Sequence, residues 1–236
     1  RFGSLDESSS KCFLLKKIKM NNHILVKKPW GEEYKFYKNR QLAGWLLRMN
    51  FRKKTSLHCH PKKKTGLIVL EGKVEVSVGF YEKLVLKAPS KIMIRSGLFH
   101  STKSLSSKGS TILELETPIN KNDLVRYKDS YGRANKPYES GKNLIKKKDL
   151  LYLDEKKSLN KKIFFQDCSI QLNKFTKSSQ IKSKNKKTIV AVLKGGLVDN
   201  KKNYVLTKGD IVRMDTILKL KKNYKVNNNI LLLYIN

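Results

Sequence analysis

Acidic residues, cysteines and long apolar runs are all scarce in this sequence of 236 residues. Only 19 Asp and Glu stand against 52 Lys and Arg, which gives a net charge of +33, yet only eight of the basic residues are arginine. The excess is spread along the chain, and no helix-turn-helix signature, zinc finger or ribonucleoprotein motif accompanies it. We therefore interpret the lysines as a solvated surface and do not expect nucleic acid as a partner.

The few cysteines and short apolar runs exclude two further classes of protein. Cys12, Cys59 and Cys168 are widely spaced and form no C-x-x-C pair, which argues against a disulfide framework and favours a reducing cytoplasm. The longest apolar runs, such as 230–235, are far shorter than the ~20 residues that span a bilayer, so we expect no membrane partner. Residues 1–22 do not resemble a signal peptide and are expected to form a flexible extension.

Long helical periodicity is also missing, and short β-rich runs take its place. Runs such as 66–80, 83–88 and 110–116 are separated by Gly, Pro and Asn. Val74 and Val76 alternate with polar residues at the period of two that is typical of a half-buried strand. Closely spaced short strands of this kind predict an all-β sandwich or barrel.

The same β-rich unit occurs twice in the sequence. Lys-Lys-Thr at 63–65, followed by GLIVLEG, recurs at 186–188, followed by IVAVLKG, at an offset of 123 residues. We therefore predict a first barrel over 23–117, a connecting segment over 118–150 and a second barrel over 151–236. Tyrosines, arginines and acidic residues distinguish the connecting segment from the lysine-rich background. A lid or a dimer contact is expected there, with a simple tether as the alternative.

Three of the four histidines occupy defined places in the first unit. His58 and His60 are two residues apart, so both imidazoles point to the same face of a strand. His100 lies forty residues later, just past a turn. The spacing of His58-Cys-His60 to Gly72, together with Gly97-x-x-His100, resembles the two metal-binding motifs of the cupin superfamily.

The resemblance implies two double-stranded β-helix barrels with a divalent metal ion in the first of them. Three neutral imidazoles suit Zn²⁺, Fe²⁺, Mn²⁺ or Ni²⁺ and leave positions open for water or substrate. The family's fourth ligand, a glutamate, is replaced by Thr65, and the motif proline is replaced by Arg95. We favour a metal site formed by His58, His60 and His100. The alternative is that the histidines are polar residues lining a sugar-binding barrel without metal.

The repeat offsets indicate what remains of this site in the second unit. They align the three histidines with Ile181, Ser183 and Leu220, none of which is a metal ligand for these ions. The chain therefore resembles a bicupin whose second barrel is degenerate.

A second resemblance concerns residues 28–33, at the entry to the first barrel. Lys28-Pro-Trp30-Gly-Glu-Glu33 resembles the entry segment of cupins related to the type II phosphomannose isomerase domain. That resemblance implies a sugar or sugar phosphate as the small-molecule substrate, and an isomerase or epimerase activity in polysaccharide precursor metabolism. Trp30 is expected either to stack on the sugar or to close the end of the barrel.

An isomerase of this kind needs a base and groups that bind phosphate. Glu114 and Glu116 lie two apart on one face of a terminal strand and are the candidate catalytic base, although such paired glutamates are often simply solvated. Arg48, Lys64 and Arg95 are the candidate anion-binding residues.

Two other functions compete with the isomerase. Cupin thiol dioxygenases also lack the glutamate, so a three-histidine non-haem iron dioxygenase is one alternative. A non-catalytic carbohydrate-binding bicupin is the other, and a homodimer is compatible with all three functions.

Overall fold

The computed structural model describes residues 23–120, 122–133, 144–147 and 150–236. The predicted extension over 1–22 lies outside these residues. Within them, antiparallel strands dominate and helices are short, as predicted for an all-β fold. None of the helices in the described part of the chain is both long enough and apolar enough to cross a membrane.

Twelve strands make up the first barrel and the segment that follows it. In chain order they are β1 His23–Lys28, β2 Gly31–Lys38, β3 Ala43–Met49, β4 Leu57–Cys59, β5 Lys64–Glu71, β6 Lys73–Val78, β7 Glu82–Lys87, β8 Ser90–Ile94, β9 His100–Ser104, β10 Ser110–Thr117, β11 Val125–Lys128 and β12 Leu144–Lys147. They form a seven-stranded sheet in the order β12-β1-β2-β3-β10-β5-β8 and a five-stranded sheet in the order β11-β4-β9-β6-β7.

The described part of the second barrel contains eight strands and two α-helices. In chain order they are α1 Glu155–Ser158, β13 Lys162–Phe165, β14 Cys168–Phe175, β15 Ile189–Lys194, β16 Gly196–Val198, β17 Tyr204–Thr207, β18 Ile211–Arg213, α2 Met214–Leu220, β19 Lys225–Val226 and β20 Ile230–Ile235. A three-residue 3₁₀ helix covers Ser178–Gln180.

The strand orders confirm that one unit is used twice. The large sheet of the second barrel has the order β13-β14-β20-β15-β18, which reproduces β2-β3-β10-β5-β8 of the first. Its small sheet, β17-β16-β19, reproduces β7-β6-β9. Gly72 and Gly195, which the repeat aligns, both turn the chain between equivalent strands with φ near +70°. Glycine adopts this left-handed conformation without the steric cost that other residues meet.

The two large sheets pack face to face across a shared apolar core. Along β5, Ile68 and Leu70 belong to this shared core, together with residues of the second barrel such as Leu233, whereas Leu67 and Val69 face the interior of the first barrel. Because successive side chains of a strand point to opposite faces, β5 is buried on both sides. This burial explains why it is a continuous apolar run rather than an alternating one.

The connecting segment adds strands to both sheets of the first barrel. β11 pairs with β4, next to the histidines, and β12 pairs with β1 at the opposite edge. Residues 134–143, on which part of the predicted lid falls, lie outside the described residues. The domain boundaries after 117 and 150, like the lid itself, stay predictions.

Candidate metal centre and cavity of the first barrel

The small sheet of the first barrel brings the three histidines together. His58 on β4 pairs directly with His100 on β9, and His60 follows β4. The ring centroids are 4.4 Å apart for His58 and His100, 5.0 Å for His58 and His60, and 5.5 Å for His60 and His100. One nitrogen of each ring lies within 4.8 Å of the other two. This is the convergence that the motif spacing predicted.

A backbone carbonyl fixes the orientation of each imidazole. Nδ1 of His58 lies 2.8 Å from the carbonyl oxygen of Ser56, Nδ1 of His60 lies 2.6 Å from that of Asp123, and Nδ1 of His100 lies 3.0 Å from that of Leu98. A carbonyl only accepts hydrogen bonds, so each Nδ1 donates its proton and each Nε2 keeps its lone pair.

The Nε2 atoms form a donor set that suits a transition metal. Nε2 of His100 is buried and has no hydrogen-bond partner. A buried polar atom without a partner is costly, and a bound cation is one way to satisfy it. Three neutral imidazoles whose other nitrogen is held by a hydrogen bond are typical ligands of such ions. His58, His60 and His100 therefore fit the metal ion that the motifs imply.

The surroundings keep all three imidazoles neutral. Burial, reinforced by the neighbouring His100 and His60, holds the pKa of His58 well below its usual range. Burial and the ammonium group of Lys63 lower the pKa of His60, and burial lowers that of His100 to about 4. Because a metal ion binds only the unprotonated imidazole, no proton has to leave these rings at neutral pH.

Two glutamates from β10 line the same cavity. Strand alternation places Leu113 and Leu115 in the shared core and turns Glu114 and Glu116 to the barrel interior. Glu116 is buried, and its Oε1 lies 2.7 Å from Nζ of Lys63 and 4.0 Å from Nε2 of His60. Carboxylate oxygens of both glutamates lie within 4.8 Å of a ring nitrogen of His60.

Cationic, acidic, aromatic, hydroxyl and apolar side chains make up the rest of the cavity lining. The volume of the cavity is about 100 Å³, which is room for several water molecules. Lys28, Arg126 and Arg133 contribute to its lining, as do Trp30 and Trp45. Trp30 also packs in the barrel core.

A neighbouring carboxylate holds the Arg133 guanidinium in place. Nη2 of Arg133 lies 2.7 Å from Oδ1 of Asp129, and Nε lies 3.3 Å from Oδ2. The carbonyl of Arg133 in turn accepts a hydrogen bond from Nη1 of Arg126 at 3.4 Å. The two guanidiniums are thus positioned by the same short stretch of the connecting segment.

The three predicted anion-binding residues do not line this cavity. Arg48 follows Leu46 by two residues on β3, so both side chains lie on the face of the strand that packs against the shared core. Nη1 of Arg48 lies 3.3 Å from Oε1 of Glu32. Lys64 points to the second barrel, where its Nζ lies 2.6 Å from Oδ1 of Asp210. Arg95 is exposed in the loop after β8. We therefore do not propose an anion-binding role in this cavity for any of the three.

Sequence reasoning missed Lys63, Arg126 and Arg133. Lys63 is hidden among the lysines of 62–64, and its burial depends on the carboxylate that it meets from β10. The two arginines did carry a signal, because they stand in the stretch that differs from the lysine-rich background. Their place beside the histidines follows from the pairing of β11 with β4.

The second barrel has an apolar interior where the first has its cavity. Ile181 is fully buried in that core and Leu220 packs against it, while Ser183 is partly exposed. The helix α2 follows β18, where the first barrel has the loop that leads into β9 and His100. The pairing of Leu197 with Val226 matches that of Val74 with Ser104, so by strand register the position equivalent to His100 is Lys222 rather than Leu220.

Comparisons with known proteins find distant likenesses among solved structures. No protein-family model and no curated protein sequence matches the chain. KdgF from Halomonas sp. is 17% identical, with 39% of this chain and 84% of that chain covered and a TM-score of 0.37. The capsular polysaccharide assembling protein CapF from Staphylococcus aureus is 12% identical, with 45% and 34% covered and a TM-score of 0.42. The Cnp3 cupin domain of Schizosaccharomyces pombe is 13% identical, with 44% and 72% covered and a TM-score of 0.36.

Each of these likenesses spans less than half of this chain. The strand order is repeated in two barrels, and the first barrel joins the histidines of both motifs across β4 and β9. The chain is therefore an all-β protein of two barrels with the same strand order, of which the first carries the histidines of both cupin-like motifs and the second contains no histidine.

Proposed function

We propose that the first barrel binds a divalent metal ion and acts on a small sugar or sugar phosphate as an isomerase or epimerase. The observation that carries this proposal is the set of three neutral imidazoles that each donate Nδ1–H to a backbone carbonyl and keep Nε2 free beside one cavity. His58, His60 and His100 are the proposed ligands. The likeness of 28–33 to type II phosphomannose isomerase-like cupins supplies the substrate class.

The carboxylates of the cavity supply the proton transfer that such a reaction needs. A divalent ion, when bound, polarises the carbonyl oxygen of an open-chain sugar and makes the neighbouring C–H more acidic. Glu114 or Glu116 takes this proton on a carboxylate oxygen and returns it to the adjacent carbon. Both stay within reach of the cavity because they project from the same face of β10.

The cations of the cavity support an anionic substrate. Arg126 and Arg133 add positive charge to the lining, whereas Lys28 is paired with Glu33, and the guanidinium of Arg133 is already oriented by Asp129. Guanidinium groups bind phosphate oxygens through paired hydrogen bonds. The indole rings of Trp30 and Trp45 offer apolar surface for the face of a sugar ring.

Metal analysis tests the first half of the proposal. Protein purified without a polyhistidine tag is compared with the His58→Ala/His60→Ala variant by elemental analysis. We expect stoichiometric divalent metal in the wild type and its loss in the variant. Equal, negligible metal in both proteins after incubation with Zn²⁺, Mn²⁺, Fe²⁺ and Ni²⁺ would refute the metal site.

Turnover tests the second half. The metal-loaded protein is incubated with mannose 6-phosphate in D₂O, and NMR follows fructose 6-phosphate formation and deuterium incorporation. We expect anaerobic conversion that is lost in Glu114→Gln/Glu116→Gln. Oxygen uptake that depends on Fe²⁺ would instead assign a dioxygenase, and sugar-dependent thermal stabilisation without turnover would assign a binding protein.

A further inference from the structure

Thr65 stands where a carboxylate ligand is implied, and the neighbouring strand places a carboxylate directly opposite it. Thr65 on β5 pairs with Glu116 on β10. Residues directly opposite in an antiparallel pair share one face of the sheet, with Cβ atoms about 4.5–5.5 Å apart. The Thr65 hydroxyl is buried and has no hydrogen-bond partner, so no hydrogen bond of this hydroxyl fixes the Thr65 side chain in place. A carboxylate on the neighbouring strand therefore stands opposite the position of the implied ligand.

Glu116 lies close to the free side of an imidazole. Its Oε1 is 4.0 Å from Nε2 of His60, whose Nδ1 is occupied by the carbonyl of Asp123. Two ligands of one ion, each about 2.0–2.2 Å from it, lie about 3–3.5 Å apart. Joining the three imidazoles around one ion requires the glutamate side chain to rotate toward them, because its carboxylate is now grouped, among the potential ligands of the described residues, with His60 and Glu114 only. The ammonium group of Lys63 holds the carboxylate in its present position, at 2.7 Å.

We propose that Glu116 is the relocated carboxylate ligand of the metal site, and that Lys63 holds this carboxylate while no ion is bound. Binding of a divalent ion then transfers the carboxylate from Lys63 to the ion, which gains one negatively charged oxygen besides His58, His60 and His100. Glu114 remains as the base of the proposed reaction. This inference rests on the metal site of the proposed function and assigns its fourth ligand.

The register argues for Glu116 rather than Glu114. Glu114 pairs with Leu67, two residues further along β5 from the position of the implied ligand. Of the two glutamates, Glu116 is the one directly opposite residue 65. Glu114→Gln is therefore the matched control for Glu116→Gln, because both changes remove one carboxylate from the same face of the same strand.

Calorimetric titration of the apoprotein with Zn²⁺ and with Mn²⁺ tests the assignment without any measurement of turnover. We expect Glu116→Gln to weaken metal binding about tenfold or more, and Glu114→Gln to change it by less than about threefold. The decisive variant is Thr65→Glu/Glu116→Gln, which moves the carboxylate back to β5 and is expected to restore the affinity. Circular dichroism and thermal melting verify that each variant is folded.

The outcomes separate this inference from the proposed function. Metal binding that needs His58 and His60 but is unchanged in Glu116→Gln overturns the relocated ligand and leaves the metal site standing. Equal weakening by Glu114→Gln and Glu116→Gln also overturns it. Absence of histidine-dependent metal in the wild type overturns both proposals. If Glu116→Gln does not fold, the comparison of Lys63→Met with Lys63→Met/Glu116→Met replaces it, and equal affinities then refute the role of Glu116.

Discussion

Lys63 and Glu116 form a buried ion pair, so removing the lysine alone is expected to destabilise the protein. Nζ of Lys63 lies 2.7 Å from Oε1 of Glu116, and the side chains are only 3% and 11% exposed. At this separation the Coulomb attraction is about 6 kcal/mol for an effective dielectric constant of 20. The cost of taking both charges out of water cancels much of this gain. The largest effect is therefore expected when one charge is left buried without the other.

Lys63→Met is expected to lower the free energy of unfolding by about 3 kcal/mol, the low end of the range for breaking a buried pair, because Glu116 keeps some contact with water. Lys63→Met/Glu116→Met removes both charges and is expected to lie within about 1 kcal/mol of the wild type. The assay is urea unfolding of the metal-free protein with a chelator at pH 7.5, followed by far-UV circular dichroism.

Lys62→Met is the control for this experiment. Lys62 is exposed and adjacent in sequence, so the loss of one positive charge from the surface is common to both single variants. A loss below about 1 kcal/mol for Lys63→Met would refute the reasoning, since it would mean that the Glu116 carboxylate tolerates isolation. A double variant no more stable than Lys63→Met would refute it as well.

Two further predictions concern acid stability and a turn. The pKa of His100 is about 4 in the folded protein and about 6.5 in the unfolded chain. Between about pH 4 and about pH 6.5 the unfolded chain therefore binds a proton at this residue that the folded protein does not bind. Stability of the metal-free protein should thus fall as the pH falls through this window, by roughly 2 kcal/mol at pH 5, and urea midpoints should show a weaker pH dependence in His100→Gln. Gly195→Ala is expected to cost about 2 kcal/mol or more in urea unfolding, because a Cβ there would overlap the carbonyl oxygen of Asn229. Gly132 has nearly the same φ, but a Cβ there would meet no atom within 4 Å. An equal loss of stability in Gly132→Ala and Gly195→Ala would therefore contradict the steric clash.

The fold and the histidine cluster could be predicted because their signals are local. Two histidines at i and i+2 share a face of any strand, and the turn before His100 fixes where the third one begins its strand. The repeat adds an internal comparison, since Ile181 occurs where a ligand would otherwise be expected. Each of these features depends on spacing along the chain, which the sequence displays directly.

The faces of β3 and β5 could not be predicted in the same way. Both strands are buried on one side by the barrel interior and on the other by the second barrel, so their apolar residues do not alternate with polar ones. Arg48 lies on the same face of β3 as Leu46, and Lys64 lies on the same face of β5 as Ile68. Both therefore belong to the side that faces the second barrel. Only the face-to-face packing of the two large sheets determines which side that is.

The cations that do line the cavity depend on pairing between distant segments. Arg126 lies opposite His58 because β11 pairs with β4, although 68 residues separate them. Lys63 is drawn inside by Glu116, which is 53 residues away. Neither pairing leaves a periodicity or a spacing rule in the sequence, so local pattern cannot reveal it.

Because the two barrels share an apolar core, we expect the second barrel, which has no histidine site, to stabilise the first. Trp30 and Trp45 are the two tryptophans of the chain and both lie in the first barrel, so tryptophan fluorescence monitors unfolding of that barrel alone. Leu233 belongs to the second barrel and is fully buried in the shared core. Leu233→Ala is expected to lower stability by about 3 kcal/mol and to shift the fluorescence transition as far as the far-UV circular dichroism transition. Val205→Ala, at an exposed position of the same barrel, should shift neither. A fluorescence transition that stays in place in Leu233→Ala would mean that the barrels unfold independently and that the second does not support the site.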